Sequence, residues 1–224
     1  MANAITVAVI DSGIASGHAH VGVVTRGILL RADGTELADF GDRIGHGTAV
    51  AAAIIEKATD VELIAVRVFE TELATNAFVL ARAISWAADQ DARLINLSLG
   101  TPNMARESIL REAIDHASAA GAIVVSAAEV EGVPHLPGSL SGVVGVVLDW
   151  SCPRDEVRAD DRAGILRASG FPRPIEGIPP ERNLSGISFA VANVTGLLAR
   201  ELGKHSEIRT ADAAVRILSS GLLT

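Results

Sequence analysis

Three short motifs hold the side chains best suited to nucleophilic chemistry. Asp11 closes the apolar run Val7-Ala8-Val9-Ile10 and is followed by Ser12-Gly13; His46 stands between Gly45 and Gly47; Ser188 follows Gly186-Ile187 ahead of a small-residue segment. A serine hydroxyl is a poor nucleophile until a neutral imidazole takes its proton, and that imidazole needs an acceptor to fix its tautomer. Each residue alone has a plainer reading: a turn aspartate, a histidine at a helix cap, an N-cap serine. Together they run Asp, His, Ser, one of the chain orders in which the three roles combine, with 35 residues from Asp11 to His46 and 142 from His46 to Ser188.

The surrounding elements have to bring these positions together. Ile5 to Ile10 reads as a buried parallel strand, which places Asp11 at its carboxyl end, where open α/β sheets collect their chemistry. Thr48 to Lys57 is an alanine-rich helix with His46 at or just before its first turn. Further strands are expected at Val21 to Leu30, Val61 to Phe69, Arg93 to Leu99, Ala122 to Ala128 and Val143 to Leu148. Helices are expected at Asn76 to Asp89, with Phe78, Ile84 and Trp86 on or near the apolar face, and at Pro102 to Ala120, closed by Gly121. The last helices are Ser188 to Leu202 and Thr210 to Ser219. The proline-rich, charged stretch Asp149 to Glu181 reads as surface loop with one short strand near Ile165. Strands alternating with helices predict an α/β three-layer sandwich, a mostly parallel sheet flanked by helices on both faces.

The composition suits that architecture. The 224 residues fit a single domain, 1–224, with 49% hydrophobic residues, only 3% aromatic and no tyrosine, so small side chains let elements approach closely. A net charge of −8 argues against nucleic acid or an anionic membrane as partner. Cys152 is the only cysteine, so no internal disulfide forms, and Pro153 beside it suggests a free thiol in a polar loop. Neither a signal segment nor an inhibitory prosegment is evident before Ile5, and the expected location is cytoplasmic. His18 and His20 lack a third ligand and read as surface, not as a metal pair.

Val-Ile-Asp-Ser-Gly-Ile at 9–14, Gly-His-Gly-Thr-Ala-Val at 45–50 and Gly-Ile-Ser-Phe-Ala at 186–190 resemble the three catalytic motifs of the subtilisin-like serine proteases, the subtilases. The resemblance implies a serine endopeptidase in which Asp11 orients His46, His46 activates Ser188, and Ser188 attacks a peptide carbonyl. It further implies that Ser98, Leu99 and Gly100 bind an extended substrate by strand addition, with Ala127, Glu129 and Glu131 at the pocket for the residue before the cleaved bond. The expected partner is a peptide or protein; no cofactor is expected. The family often binds structural calcium, but no acidic loop here offers enough ligands.

The pattern breaks at Ala127-Ala128-Glu129-Val130-Glu131-Gly132. By resemblance the oxyanion-hole asparagine belongs at Val130, and valine has no side-chain donor; Asn183 and Asn193 are the candidate substitutes. Losing that donor typically costs about 10²–10³ in turnover. Glu129 and Glu131 read either as selectors of a basic residue before the cleaved bond or as a solvated acidic loop. The expected function is narrow-specificity intracellular processing. A peptide-binding or regulatory module on a protease fold and a peptide ligase are the alternatives.

Overall fold

A computed structural model describes residues 4–70, 72–179 and 182–220; Pro180 and Glu181, at the end of the expected loop, lie outside them. The chain forms a mostly parallel central sheet with helices on both faces. Strands β1 (Ile5–Asp11), β2 (Arg26–Leu30), β3 (Glu36–Leu37), β4 (Val61–Arg67), β5 (Leu94–Leu97), β6 (Ile123–Ala127), β9 (Val144–Leu148), β10 (Val157–Ala159) and β11 (Ile165–Ala168) share one sheet, ordered β10-β11-β9-β6-β5-β1-β4-β2-β3. Two short strands, β7 (Glu129–Val130) and β8 (Val133–Pro134), form a separate hairpin. All pairings among β2, β4, β1, β5, β6, β9 and β11 are parallel.

Alternation along β1 decides what faces what. Val7 and Val9 pack with helices α1 (His46–Lys57) and α4 (Ile187–Leu202), whereas Ala8 and Ile10 pack with α2 (Ala77–Asp89) and α3 (Glu107–Ala119). Asp11 has the parity of Val7 and Val9, so the period of two aims its carboxylate at the α1–α4 side. Strand β5 repeats the logic. Asn96 and Ser98 face α4, and the buried Asn96 accepts from the Thr195 hydroxyl (2.9 Å) while donating to the Ser98 hydroxyl (2.8 Å). That bridge ties the α4 helix to the edge from which Ser98 projects.

Five expectations need correction. The stretch after Asp149 supplies the short strand expected near Ile165, β11, parallel to β9, and a second one that was not expected, β10, antiparallel to β11; its charges hid β10, where Arg158 lies exposed. Strand β2 begins only at Arg26. Helix α3 starts at Glu107, after a 3₁₀ turn over Met104–Arg106. Phe78 is 57% exposed, under the Arg106 guanidinium, while Ile84 is fully buried. Cys152 is a free thiol as expected, but it is buried beside the Glu156 and Arg167 carbonyls, and burial pushes its pKa up. No helix of the described residues is long and apolar enough to cross a membrane; helix α5 (Ala211–Ser220) closes the chain on the α4 side.

Candidate active site

Asp11 and His46 meet at the carboxyl end of β1. Asp11 Oδ1 accepts from the Ser12 backbone N–H and lies 2.7 Å from His46 Nδ1. Oδ2 is buried with no hydrogen-bond partner among the described residues. A buried carboxylate so placed favours a cation beside it, and His46 is the titratable group in contact. Burial pulls the His46 pKa down, yet the Asp11 hydrogen bond and the charges of Asp11 and Asp42 outweigh it and leave the pKa raised.

The first turn of α1 explains the glycines that flank His46. Gly45, the residue before the helix, has φ +92°, which glycine adopts without penalty. A Cβ on Gly47 would collide with the Gly13 carbonyl and lie 3.1 Å from Asp11 Cβ. The helix start approaches β1 so closely that only glycine fits.

Asp42, four residues ahead of His46, secures this turn. Its Oδ1 accepts from the Ser12 hydroxyl (2.9 Å) and the backbone N–H groups of Ile44 and Gly45 (2.9 and 2.8 Å). Its Oδ2 accepts from both the backbone N–H (2.9 Å) and the hydroxyl (2.5 Å) of Thr48. Burial pushes the Asp42 carboxyl up, but these donors outweigh it and hold the pKa below the ordinary carboxylate value. The carboxylate thus caps α1 from outside the helix, where the macrodipole also favours it. Sequence reasoning passed over Asp42 and Asn96; the available signals were an aspartate one turn before the histidine and an asparagine inside an apolar strand.

Ser188 is the second residue of α4, after Gly186 at φ +139°. Its N–H lies in the first turn, where no intrahelical acceptor exists. Its hydroxyl donates to the Ser98 carbonyl at 3.2 Å, and the next residue, Phe189, packs its ring 5.8 Å from that of His46. The serine and the histidine therefore occupy adjoining helix starts, with the serine hydroxyl turned toward β5.

The remaining expected residues spread around Ser188. Leu99 and Gly100 border a cavity of about 300 Å³ with Asn76, Leu80 and Arg106. Ala127 is buried under Gly138. Glu129, Val130 and Glu131 border a second cavity, of about 370 Å³, with Trp150, Gly186 and Ile187. Glu131 and Gly132, at φ 51° and 80°, form the two-residue turn of the β7–β8 hairpin. The Glu129 carboxylate pairs with Arg162 at 2.7 Å. The Asn193 amide is buried and spends both N–H groups on the Ser169 and Phe171 carbonyls (2.9 and 3.1 Å), whereas the Asn183 amide makes one bond, to the Arg173 carbonyl (3.2 Å). Among the described residues no three His, Cys, Asp or Glu side chains come together.

A mostly parallel α/β sandwich with an Asp–His contact at a strand end, and a serine opening the neighbouring helix, defines a class of hydrolase architecture. Comparison with known proteins gives the family. The subtilase family model matches residues 2–132, and the chain belongs to the subtilase family of serine proteases. It is 29% identical over 227 residues to thermitase of Thermoactinomyces vulgaris (92% of this chain, 78% of thermitase). It is 30% identical over 235 residues to subtilisin DY of Bacillus licheniformis (96% of this chain, 83% of that protein). Among solved structures, the prenylagaramide maturation protease PagA aligns with a TM-score of 0.68 at 26% identity, over 93% of this chain and 80% of PagA.

Proposed function

We propose that the chain is a serine endopeptidase of narrow specificity that processes peptides through Asp11, His46 and Ser188. The observation that carries this reading is the 2.7 Å contact between Asp11 Oδ1 and His46 Nδ1 at the start of the helix beside Ser188. Asp11 fixes the tautomer with Nδ1 protonated, which leaves Nε2 as the base. When an extended peptide pairs with the Ser98–Gly100 edge, its backbone N–H takes over the Ser98 carbonyl and the Ser188 hydroxyl turns to Nε2. Ser188 Oγ then attacks the carbonyl carbon, its proton passes to His46, and His46 returns that proton to the departing amine. Water repeats the sequence on the acyl-enzyme. The backbone N–H of Ser188 is one donor to the oxyanion, and Val130 supplies none from its side chain, so turnover is slower than with a complete hole.

The processing role is supported by the likeness to PagA, a maturation protease. An intracellular, cytoplasmic setting fits a chain whose only cysteine needs no partner. Val130 and the turned-away Ser188 hydroxyl favour a second reading, a peptide-binding module with weak hydrolysis. A fluorophosphonate probe separates the two. Labelling of Ser188 that is lost in Ser188→Ala supports the protease, and no adduct on folded protein rejects it.

A further inference from the structure

An apolar cleft lies apart from the cavities beside the Ser98–Gly100 edge and the β7–β8 hairpin. It runs along one face of α1, where Gly45, Thr48, Ala49 and Ala52 recur at helical spacing, and encloses about 360 Å³. Its other walls are Ala15 after β1 and the segment leading to Ser188, chiefly Ile175 and Leu184. Those two side chains are 45% and 49% exposed, an apolar lip facing water beside the catalytic histidine's helix. Nothing in the catalytic reading uses it.

We infer that this cleft selects the departing half of the substrate, taking an apolar side chain whose neighbour bears a carboxylate. The inference rests on the protease reading in one respect, the direction of the peptide. The acyl half pairs with Ser98–Gly100, and His46 protonates the departing amine, so the chain beyond the cleaved bond leaves past the start of α1 and meets the cleft. The cleft shares no lining residue with either cavity on the other side of Ser188.

Charge on the rim chooses the neighbour. Arg173, His18 and His20 line the cleft, and Arg173 donates to the His20 carbonyl at 3.3 Å. Arg173 makes no ion pair among the described residues, in a chain whose net charge is −8. The acid on the wall, Asp42, has both oxygens engaged by Ser12, Ile44, Gly45 and Thr48. An incoming carboxylate therefore finds a cation whose charge no carboxylate among the described residues has paired, while the Asp42 oxygens, already saturated by donors, do not take that cation.

The test measures binding separately from cleavage. Dye-labelled hexapeptides containing Leu-Glu, Leu-Lys or Gly-Lys are titrated into Ser188→Ala protein by fluorescence anisotropy. Leu-Glu is expected to bind at least about tenfold more tightly than Gly-Lys. Arg173→Glu is expected to reverse the order of Leu-Glu and Leu-Lys, and Ala49→Phe, which fills the cleft, to abolish the leucine preference. Equal affinities for the three peptides in the Ser188→Ala protein overturn the inference, whatever the two further variants do. A Leu-Glu preference in a protein whose serine resists the fluorophosphonate sinks the protease reading and leaves the cleft's selectivity standing.

Discussion

The Ser188 hydroxyl donates to the main-chain carbonyl of Ser98 across 3.2 Å, linking the start of α4 to the end of β5. That bond joins a half-buried hydroxyl to an acceptor which a substrate N–H also fits. Ser188→Ala is therefore expected to cost about 1 kcal/mol or less in stability while eliminating fluorophosphonate labelling. Urea unfolding and intact-mass spectrometry read the two effects. A large loss of stability would mean that the hydroxyl serves the fold before any chemistry.

Val130 borders the same cavity as Gly186 and Ile187, immediately ahead of Ser188. On the proposed reading, a donor placed there reaches toward the acyl oxygen. Val130→Asn is expected to raise the rate of acylation at least tenfold, part of the roughly 10²–10³ that one such donor supplies. Stopped-flow measurement with an activated ester checks it. An unchanged rate in a protein that labels normally would show that the oxyanion lies elsewhere.

Much of this arrangement was legible in the sequence. The apolar run ending in Asp11 marked a buried strand with the aspartate at its carboxyl end, while the face the carboxylate takes emerged only from the packing of the helices. The glycines around His46 and before Ser188 marked close approaches and a glycine-only conformation. What stayed hidden depends on contacts between distant segments. Strand β10 carries Arg158 on its exposed side and lacks an apolar run, whereas β11 was legible at Ile165. The Arg162 partner of Glu129 lies 33 residues away. The role of Asp42 exists only because the loop before α1 folds back onto Ser12 and Thr48.

The raised His46 pKa sets the pH response. A general base works when neutral, so the acid limb of kcat/KM is expected above the ordinary histidine value of about 6.5. Asp42→Asn removes one of the charges that raise it and is expected to move the limb to lower pH. The stability linkage has the opposite sense. A group whose pKa is higher in the folded state stabilises fully below its unfolded pKa, and the contribution fades as pH rises through the folded value. The wild-type protein is therefore expected to lose this increment on going from about pH 6 to above the His46 folded pKa, and Asp42→Asn to lose less. Kinetic profiles and urea midpoints across that range check both signs; a limb that stays in place in Asp42→Asn would remove Asp42 from the account.

Gly47 and Gly45 make an internal comparison, because both precede or open the same helix turn and only one is crowded. A methyl group on Gly47 meets the Gly13 carbonyl and the Asp11 side chain, backbone and buried atoms that cannot yield cheaply. The turn must shift away from β1, and the Asp11–His46 contact opens with it. Gly47→Ala is expected to cost about 1–3 kcal/mol, as overpacking does, and to lower the Ser188 labelling rate about a hundredfold, the scale set by a misplacement of about 1 Å. A methyl on Gly45 has nothing within 4 Å, so Gly45→Ala carries only the strain of its positive φ, about 1–2 kcal/mol. Its labelling rate is expected to stay within a few fold of wild type. Similar rate losses in the two variants would show that flexibility of the turn, and not the approach of α1 to β1, controls the site.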